Sequence, residues 1–343
     1  MNKTKQIFAI MVFILTCPLI IAQDIGLPEG VAVRKIWSNE NHNAFTSLIF
    51  FRGSFYCAFR EGENHVYGSD GVARIIRSGD GIAWEPVALI ARKGFDLRDP
   101  KLSVTPDGRI MVIIGGSVYK EKELLGQQTH VSFSDHSGIN FSEPVPVALP
   151  AEVRSNRDWL WRVTWHRKTG YGVVYHSSPE RTISLVKTND GINYELVTKL
   201  EMNGGPNEST VRIMSGGEMI IIVRREEDNR EGMFGRSMPP YGEWQWRSLG
   251  IRLGGPDFIA VRRNLLVMGT RVYDEKGNFT AIFAGDRSGN FSEIITLPSG
   301  GDNSYPGFVY RKNRLYVSYY SSHEGKASIY FAEIPAGLVY TRD

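Results

Sequence analysis

Beyond its first two dozen residues the chain is a succession of short apolar or alternating runs, each stopped by Gly, Asp, Asn or Pro. Ser47–Phe51, Ser54–Phe59, Ala73–Arg77, Ile110–Ile114, Tyr171–Tyr175, Leu265–Gly269 and Leu315–Tyr319 are representative. Runs of this length, rich in β-branched and aromatic residues and bounded by turn formers, read as strands. No stretch after the leader carries a persuasive helical period. With 36 glycines and 16 prolines as punctuation, the pattern predicts an all-β chain.

The pattern is clearest from Pro206 to Arg225, PNESTVRIMSGGEMIIIVRR. A strand at Ser209–Met214 turns at Ser215-Gly216-Gly217, and an apolar strand at Glu218–Val223 returns to two arginines. Folding back brings Glu208 and Arg224 to one edge of the sheet, with Arg225 on the opposite face. An exposed strand-end ion pair contributes little. On so apolar a support, an acid beside a guanidinium also suits a site.

A repeat runs through the chain. Ser78-Gly79-Asp80-Gly81 leads to Trp84, Ser134-Asp135 with Gly138 leads to Phe141, and Thr188-Asn189-Asp190-Gly191 leads to Tyr194. Gly285-Asp286 with Gly289 and Phe291 continues it weakly, and Tyr241–Trp246 is a degenerate copy. Asp and Ser/Thr side chains bond turn amides, Gly takes the positive-φ position, and the aromatic fills space between sheets. The period of about 55 residues gives close to six units, each with room for four short strands. A single domain, 23–343, built as a six-bladed β-propeller is the natural closure.

Composition narrows function. Met1 to Ala22 has lysines, then the apolar run Ile7–Leu15, and reads as a signal peptide cleaved after Ala22. The run is short for a transmembrane span, so the mature chain is expected to be exported, periplasmic or secreted. Cys17 offers a lipoprotein alternative, weakened by Thr16 before it. Losing Lys3 and Lys5 with the leader lowers the formal charge of +3 by two. No nucleic acid or anionic membrane partner is implied. Cys57, then alone, reads as a small buried hydrophobe. The histidines are scattered without ligand spacing and the glycines serve turns, so neither a metal nor another cofactor is implied.

The turn motifs resemble the Asp boxes of the sialidase (neuraminidase) superfamily, whose members are six-bladed propellers, and the resemblance covers essentially the whole mature chain. It implies a site of three arginines holding a carboxylate, a tyrosine nucleophile, a glutamate beside it and an aspartate acid. The hairpin is similar to the segment running from the glutamate to the second arginine, placing Glu208 and Arg224. Leu265–Arg271 resembles the strand ending in the third arginine, Arg271. Asn303-Ser304-Tyr305-Pro306-Gly307 resembles the nucleophile segment, with Tyr305 as nucleophile and Pro306 where Ser is usual. A tyrosine suits a sugar with its carboxylate on the reacting carbon, because a carboxylate nucleophile would meet like charge. Its pKa near 10 then requires a neighbouring base. Arginine offers paired donors in a fork and keeps its charge.

Two parts depart from the pattern. Asn43 or Ala44 falls where the first arginine belongs, and Arg60 or Arg98 could compensate. The general acid belongs in the Glu61–Gly71 loop, where Asp70 is nearest in position and His65 is second. Trp159, Trp161 and Arg162 resemble a sugar-stacking platform, and inter-blade packing explains them equally well. The resulting expectation is a monomeric, exo-acting glycosidase for a glycan with a terminal acidic sugar, sialic acid or a related ulosonic or uronic acid. The rivals are a hydrolase or lyase on uronic-acid polysaccharide using His65 or Tyr305, and a non-catalytic carbohydrate-binding propeller.

Overall fold

The computed structural model describes residues 26–177, 181–275 and 277–340. The expected signal peptide and Cys17 lie outside the described residues. Among these described residues, twenty-four strands form six four-stranded antiparallel sheets. Blade 1 contains His42–Phe51, Ser54–Gly62, Val72–Ser78 and Glu85–Ile90. Blades 2 to 5 repeat this order from their innermost strands Asp96–Val104, Asp158–His166, Pro206–Ile213 and Asp257–Arg262. Blade 6 takes Asn303–Arg311, Arg314–Ser321 and Ser328–Pro335, and its outer strand is the N-terminal Ala32–Trp37, paired Ala32 to Glu333. That pairing closes the ring non-covalently, so no sheet is left to end the array.

The most apolar strands lie second in each blade. Met219–Arg225 pairs with Pro206–Ile213, and its first five residues are buried. Cys57 sits in the equivalent strand of blade 1. It is wholly buried, and desolvation pushes its thiol up to about 12, which removes it as a nucleophile at neutral pH. No helix among the described residues is long and apolar enough to cross a membrane.

The repeated turns join third to fourth strands, at the end of each blade away from the start of its inner strand. Ser78 Oγ accepts Gly81 N–H at 2.8 Å, while Asp80 Oδ1 accepts Ile82 N–H at 2.8 Å and Ala83 N–H at 3.0 Å. Thr188 and Asp190 repeat these bonds. At Gly81 (φ 78°) an added Cβ would lie 2.9 Å from Phe331, a residue of the preceding blade, whose ring meets Trp84 at 5.3 Å. The motif is therefore an inter-blade lock as well as a turn.

These bonds make the fold acid-sensitive. Amide donors hold the Asp80 carboxyl below its ordinary range, and Ser137 and Asn140 do the same for Asp135. At Asp190 and Asp286 burial pushes upward but is outweighed by hydrogen bonds, chiefly from Asn193 and Asn290. Carboxyls lower in the folded than the unfolded chain stabilise above the unfolded value, near pH 4, and lose that contribution as pH falls through the folded value. Melting temperature followed by scanning fluorimetry should be nearly flat between pH 7 and 5 and should fall steeply below about pH 4.

Candidate active site

The site is built by bulges in the inner strands. Pairing skips between Ala44 and Ser47 in blade 1, Arg98 and Lys101 in blade 2, and Ser304 and Gly307 in blade 6. In each, one non-glycine residue is left-handed: Phe45 (φ 66°), Asp99 (φ 49°) and Tyr305 (φ 53°). Similar skips flank Trp161 in blade 3 and Glu208 in blade 4. A bulge re-aims the side chain it carries, and here it turns Phe45, Trp161, Glu208 and Tyr305 toward one chamber. Pro306 falls inside such a skip, where the ladder requires no N–H, which accommodates proline in an inner strand. Ser304 is also left-handed (φ 97°). Thr46 Oγ1 to Tyr305 O at 2.7 Å and Ser304 Oγ to Gly254 O at 3.0 Å hold this costly backbone.

Tyr305 Oη donates to Glu208 Oε1 at 2.5 Å, although the two are far apart in sequence. Arg224 Nη1 donates to Glu208 Oε2 at 2.8 Å and to Tyr305 Oη at 3.2 Å. Gly255 N–H reaches Glu208 Oε2 at 2.9 Å. At Gly255 (φ 63°) an added Cβ would stand 2.5 Å from the Tyr305 ring, so only glycine lets the backbone approach this closely. Burial favours a neutral Glu208, but the charge of Arg224 and the hydrogen bonds from Tyr305 and Arg224 bring its pKa below the ordinary value. Burial, then the Glu208 charge, push the Tyr305 phenol well above 10, against Arg224. The resting pair is therefore a neutral phenol donating to a carboxylate.

Arg271 approaches from blade 5. Its Nε donates to Asn303 O at 2.9 Å and its Nη2 to Tyr320 Oη at 3.1 Å, with Asp302 Oδ1 at 3.4 Å. Asp302 was missed by sequence reasoning and gathers the most partners. Its Oδ2 meets His42 Nε2 at 2.9 Å and His65 Nδ1 at 2.6 Å, while Tyr320 Oη donates to Oδ1 at 2.7 Å. Asp302 is held far below the ordinary carboxylate range, because these hydrogen bonds and the His65 charge outweigh burial. The histidines that look scattered in sequence thus converge, with ligand-capable atoms of His42, His65 and Asp302 within 4.8 Å of one another.

The remaining expected residues separate. Arg60 is fully buried and spent on Asp96, with Nε to Oδ1 at 2.9 Å, and on Asn64 O at 2.7 Å. Gly62 and Gly71 make room for it: an added Cβ at either would lie within 2.4 Å of its guanidinium. It is a structural cation, closed to ligand. Arg98 instead lies over the Phe45 ring at 5.1 Å, with an ion pair to Asp96 at 3.3 Å. Asp70 is exposed, and its Oδ2 accepts Gly94 N–H at 3.0 Å. Trp159 and Trp161 are buried packing residues rather than an exposed platform; Trp161 meets the Tyr305 ring at 5.8 Å. Arg162 is paired with Asp257 at 3.3 Å, and Arg212 holds the same carboxylate at 2.7 Å, tying blades 3, 4 and 5.

Two further buried groups face the chamber. Lys101 Nζ lies 5.3 Å from the Tyr305 ring centroid and 4.0 Å from Asp99 Oδ1, and burial lowers its pKa to about 8. Asp99 Oδ1 is buried and, among the described residues, accepts no hydrogen bond. Burial raises its pKa, against Lys101 and Arg98, with Glu208 adding to the rise. Nothing in Leu97-Arg98-Asp99-Pro100 announces this, because the bulge that aims Asp99 is a backbone event.

No known family profile matches the sequence, and no curated protein matches it. Solved structures do. A Dyadobacter fermentans protein of unknown function aligns with a TM-score of 0.78 at 20% identity, over 90% of this chain and 100% of that one. The Trypanosoma rangeli sialidase with 2,3-difluorosialic acid aligns at 0.74 and 12% identity, over 91% of this chain and 60% of that one. The Penicillium chrysogenum α-L-arabinanase with arabinobiose aligns at 0.69 and 13% identity, over 89% and 98%. At these identities the likeness establishes the six-bladed propeller and leaves activity to the residues themselves.

Proposed function

We propose that this propeller is an exo-acting glycoside hydrolase, exported from the cytoplasm, that removes a terminal acidic sugar from glycans by way of a tyrosyl intermediate. The observation that carries the reading is the Tyr305–Glu208–Arg224 triangle, with its 2.5 Å phenol-to-carboxylate bond. Two of the solved neighbours are named as a sialidase and an α-L-arabinanase, which supports the reaction class.

Tyr305 Oη attacks the anomeric carbon as Glu208 takes its proton, and the bond to the leaving sugar breaks with a proton delivered to its oxygen. Water then displaces Tyr305 from the sugar while Glu208 returns the phenolic proton, giving net retention. Arg224 stabilises both the carboxylate base and the charge that develops on the phenolic oxygen. Arg271, fixed by Asn303 O and Tyr320, presents a clamp for the sugar carboxylate. Phe45 at the blade 1 bulge replaces cationic character with an aromatic face, and Arg98 above that ring supplies the third positive charge. This arrangement favours an acidic sugar other than an ordinary sialic acid, such as another ulosonic acid or a uronic acid.

The test is covalent capture. A 2,3-difluoro ulosonic acid, the class of reagent present in the Trypanosoma rangeli covalent intermediate, should add one glycosyl mass to the protein, located by peptide mapping on Tyr305. Labelling elsewhere, or glycan binding with no release from a panel of sialosides, ulosonosides and uronosides, would overturn the reading.

A further inference from the structure

The leaving-group oxygen needs a proton, and the pair on Tyr305 and Glu208 cannot supply it, because Glu208 is the group that accepts one. The sequence offers Asp70 and His65. Their surroundings differ. Asp70 is exposed and engaged with Gly94 N–H. His65 stands at the chamber: its ring meets the Phe45 ring edge-on at 5.1 Å, and Phe45 meets Tyr305 at 5.0 Å. Its side chain is 44% exposed, so a leaving group can reach it.

We propose that His65 is the proton donor of this site and that Asp302 is its positioning residue; this rests on the glycosidase reading above. Asp302 Oδ2 lies 2.6 Å from His65 Nδ1. A carboxylate there fixes the tautomer: Nδ1 carries a proton toward Asp302, and Nε2 is the nitrogen left to exchange protons. In the first step His65 Nε2–H passes its proton to the glycosidic oxygen as that C–O bond breaks and the Tyr305–carbon bond forms. In the second, neutral Nε2 takes a proton from water as the water oxygen attacks the anomeric carbon, restoring the imidazolium.

Asp302 does more than orient one ring. Its other oxygen receives Tyr320 Oη at 2.7 Å and stands 3.4 Å from Arg271 Nη2. One carboxylate therefore sets the acid and the clamp in a single frame, contributed by blades 1, 5 and 6. The groups facing His65 are Asp302 and His42, whose ring lies 5.3 Å away, together with Asp99 across the chamber. Arg98 stands behind Phe45 and Arg271 behind Asp302. A metal ion held by His42, His65 and Asp302 is the competing use of the cluster. The 2.6 and 2.9 Å nitrogen–oxygen separations are those of direct hydrogen bonds.

Leaving-group dependence separates a proton donor from a merely structural residue. His65→Ala should lose about 10²- to 10⁴-fold in kcat/KM on an alkyl-linked natural glycan. On an aryl glycoside of the same sugar, whose phenolate departs without protonation, it should lose under about tenfold. Asp302→Asn should repeat the same split, losing far more on the alkyl-linked glycan than on the aryl glycoside, because the ring then loses the acceptor that orients it. Long-range proton–nitrogen NMR gives a reading that needs no substrate: His65 should show the Nδ1–H tautomer when neutral, and Asp302→Asn should remove that preference. Equal loss on both substrates, a selective loss in Asp70→Asn instead, or an Nε2–H tautomer would overturn the assignment. Stoichiometric zinc binding by calorimetry that vanishes in His65→Ala would overturn it in favour of a metal site. If Tyr305 is not labelled by the fluorosugar, the glycosidase reading itself fails; if it is labelled and His65→Ala is harmless, only this inference does.

Discussion

Tyr305→Phe should abolish turnover, by about 10³-fold or more in kcat, while leaving acidic-sugar binding nearly intact. The change deletes one oxygen from a ring packed between Phe45, Trp161 and Tyr320, with centroids 5.0, 5.8 and 6.0 Å away, so the chamber keeps its shape. What is lost is the nucleophile and the donor to Glu208. Burial and the Glu208 charge hold the phenol well above its ordinary pKa, so its attack depends on proton transfer to Glu208 as the new bond forms. Glu208→Gln should therefore be nearly as damaging, because an amide cannot accept that proton. The two losses should combine far less than multiplicatively, since both variants disable one step. Sugar release followed by chromatography and binding by calorimetry make the check. A phenylalanine variant that retained a tenth of wild-type turnover would remove Tyr305 from the chemistry.

Much of this arrangement is legible in the sequence. Alternation and turn residues define the strands, and Asp80, Asp135, Asp190 and Asp286 set the repeat because each bonds amides of its own turn, a local event that spacing reveals. Glu208 and Arg224 could be paired because a hairpin is also local. The strands run Pro206–Ile213 and Met219–Arg225 rather than Ser209–Met214 and Glu218–Val223, and pairing skips between Pro206 and Ser209, so Glu208 sits in a bulge rather than in the ladder. Contacts that close across the ring were invisible. Asp302 reads as a loop acid until His42 and His65 arrive from the far end of the chain. Arg60 and Arg98 look interchangeable in sequence. Only packing shows that Gly62 and Gly71 wall in the first, while the second lies over Phe45.

The other large effect is expected at Arg224, and it concerns stability as much as rate. Its guanidinium meets Glu208 at 2.8 Å and also pairs with Glu226, which Arg252 reaches at 3.4 Å. Arg224→Met keeps much of the side chain's volume but leaves the buried Glu208 carboxylate without its guanidinium, while Glu226 keeps Arg252. Breaking a buried ion pair from one side costs about 3–5 kcal/mol, so the variant should unfold at clearly lower denaturant concentration at pH 7. The pH dependence carries the sign. In the wild type Glu208 is below its ordinary pKa because Arg224 outweighs burial, so its contribution is present above the unfolded carboxylate value and fades on acidification. Without Arg224, burial dominates and raises the pKa, and protonation then relieves the uncompensated charge. The stability gap between variant and wild type should accordingly narrow as pH falls from 7 toward 5. In the same range the acidic limb of kcat/KM should move to higher pH, because the base of Tyr305 is then protonated. Arg224→Lys should recover most of the stability and only part of the rate, since an ammonium restores the charge but not the fork that spans Glu208, Tyr305 and Glu226. Urea denaturation of the three proteins at pH 7 and 5 provides the measurement; a gap that widens on acidification would show that Arg224 does not hold Glu208 ionised.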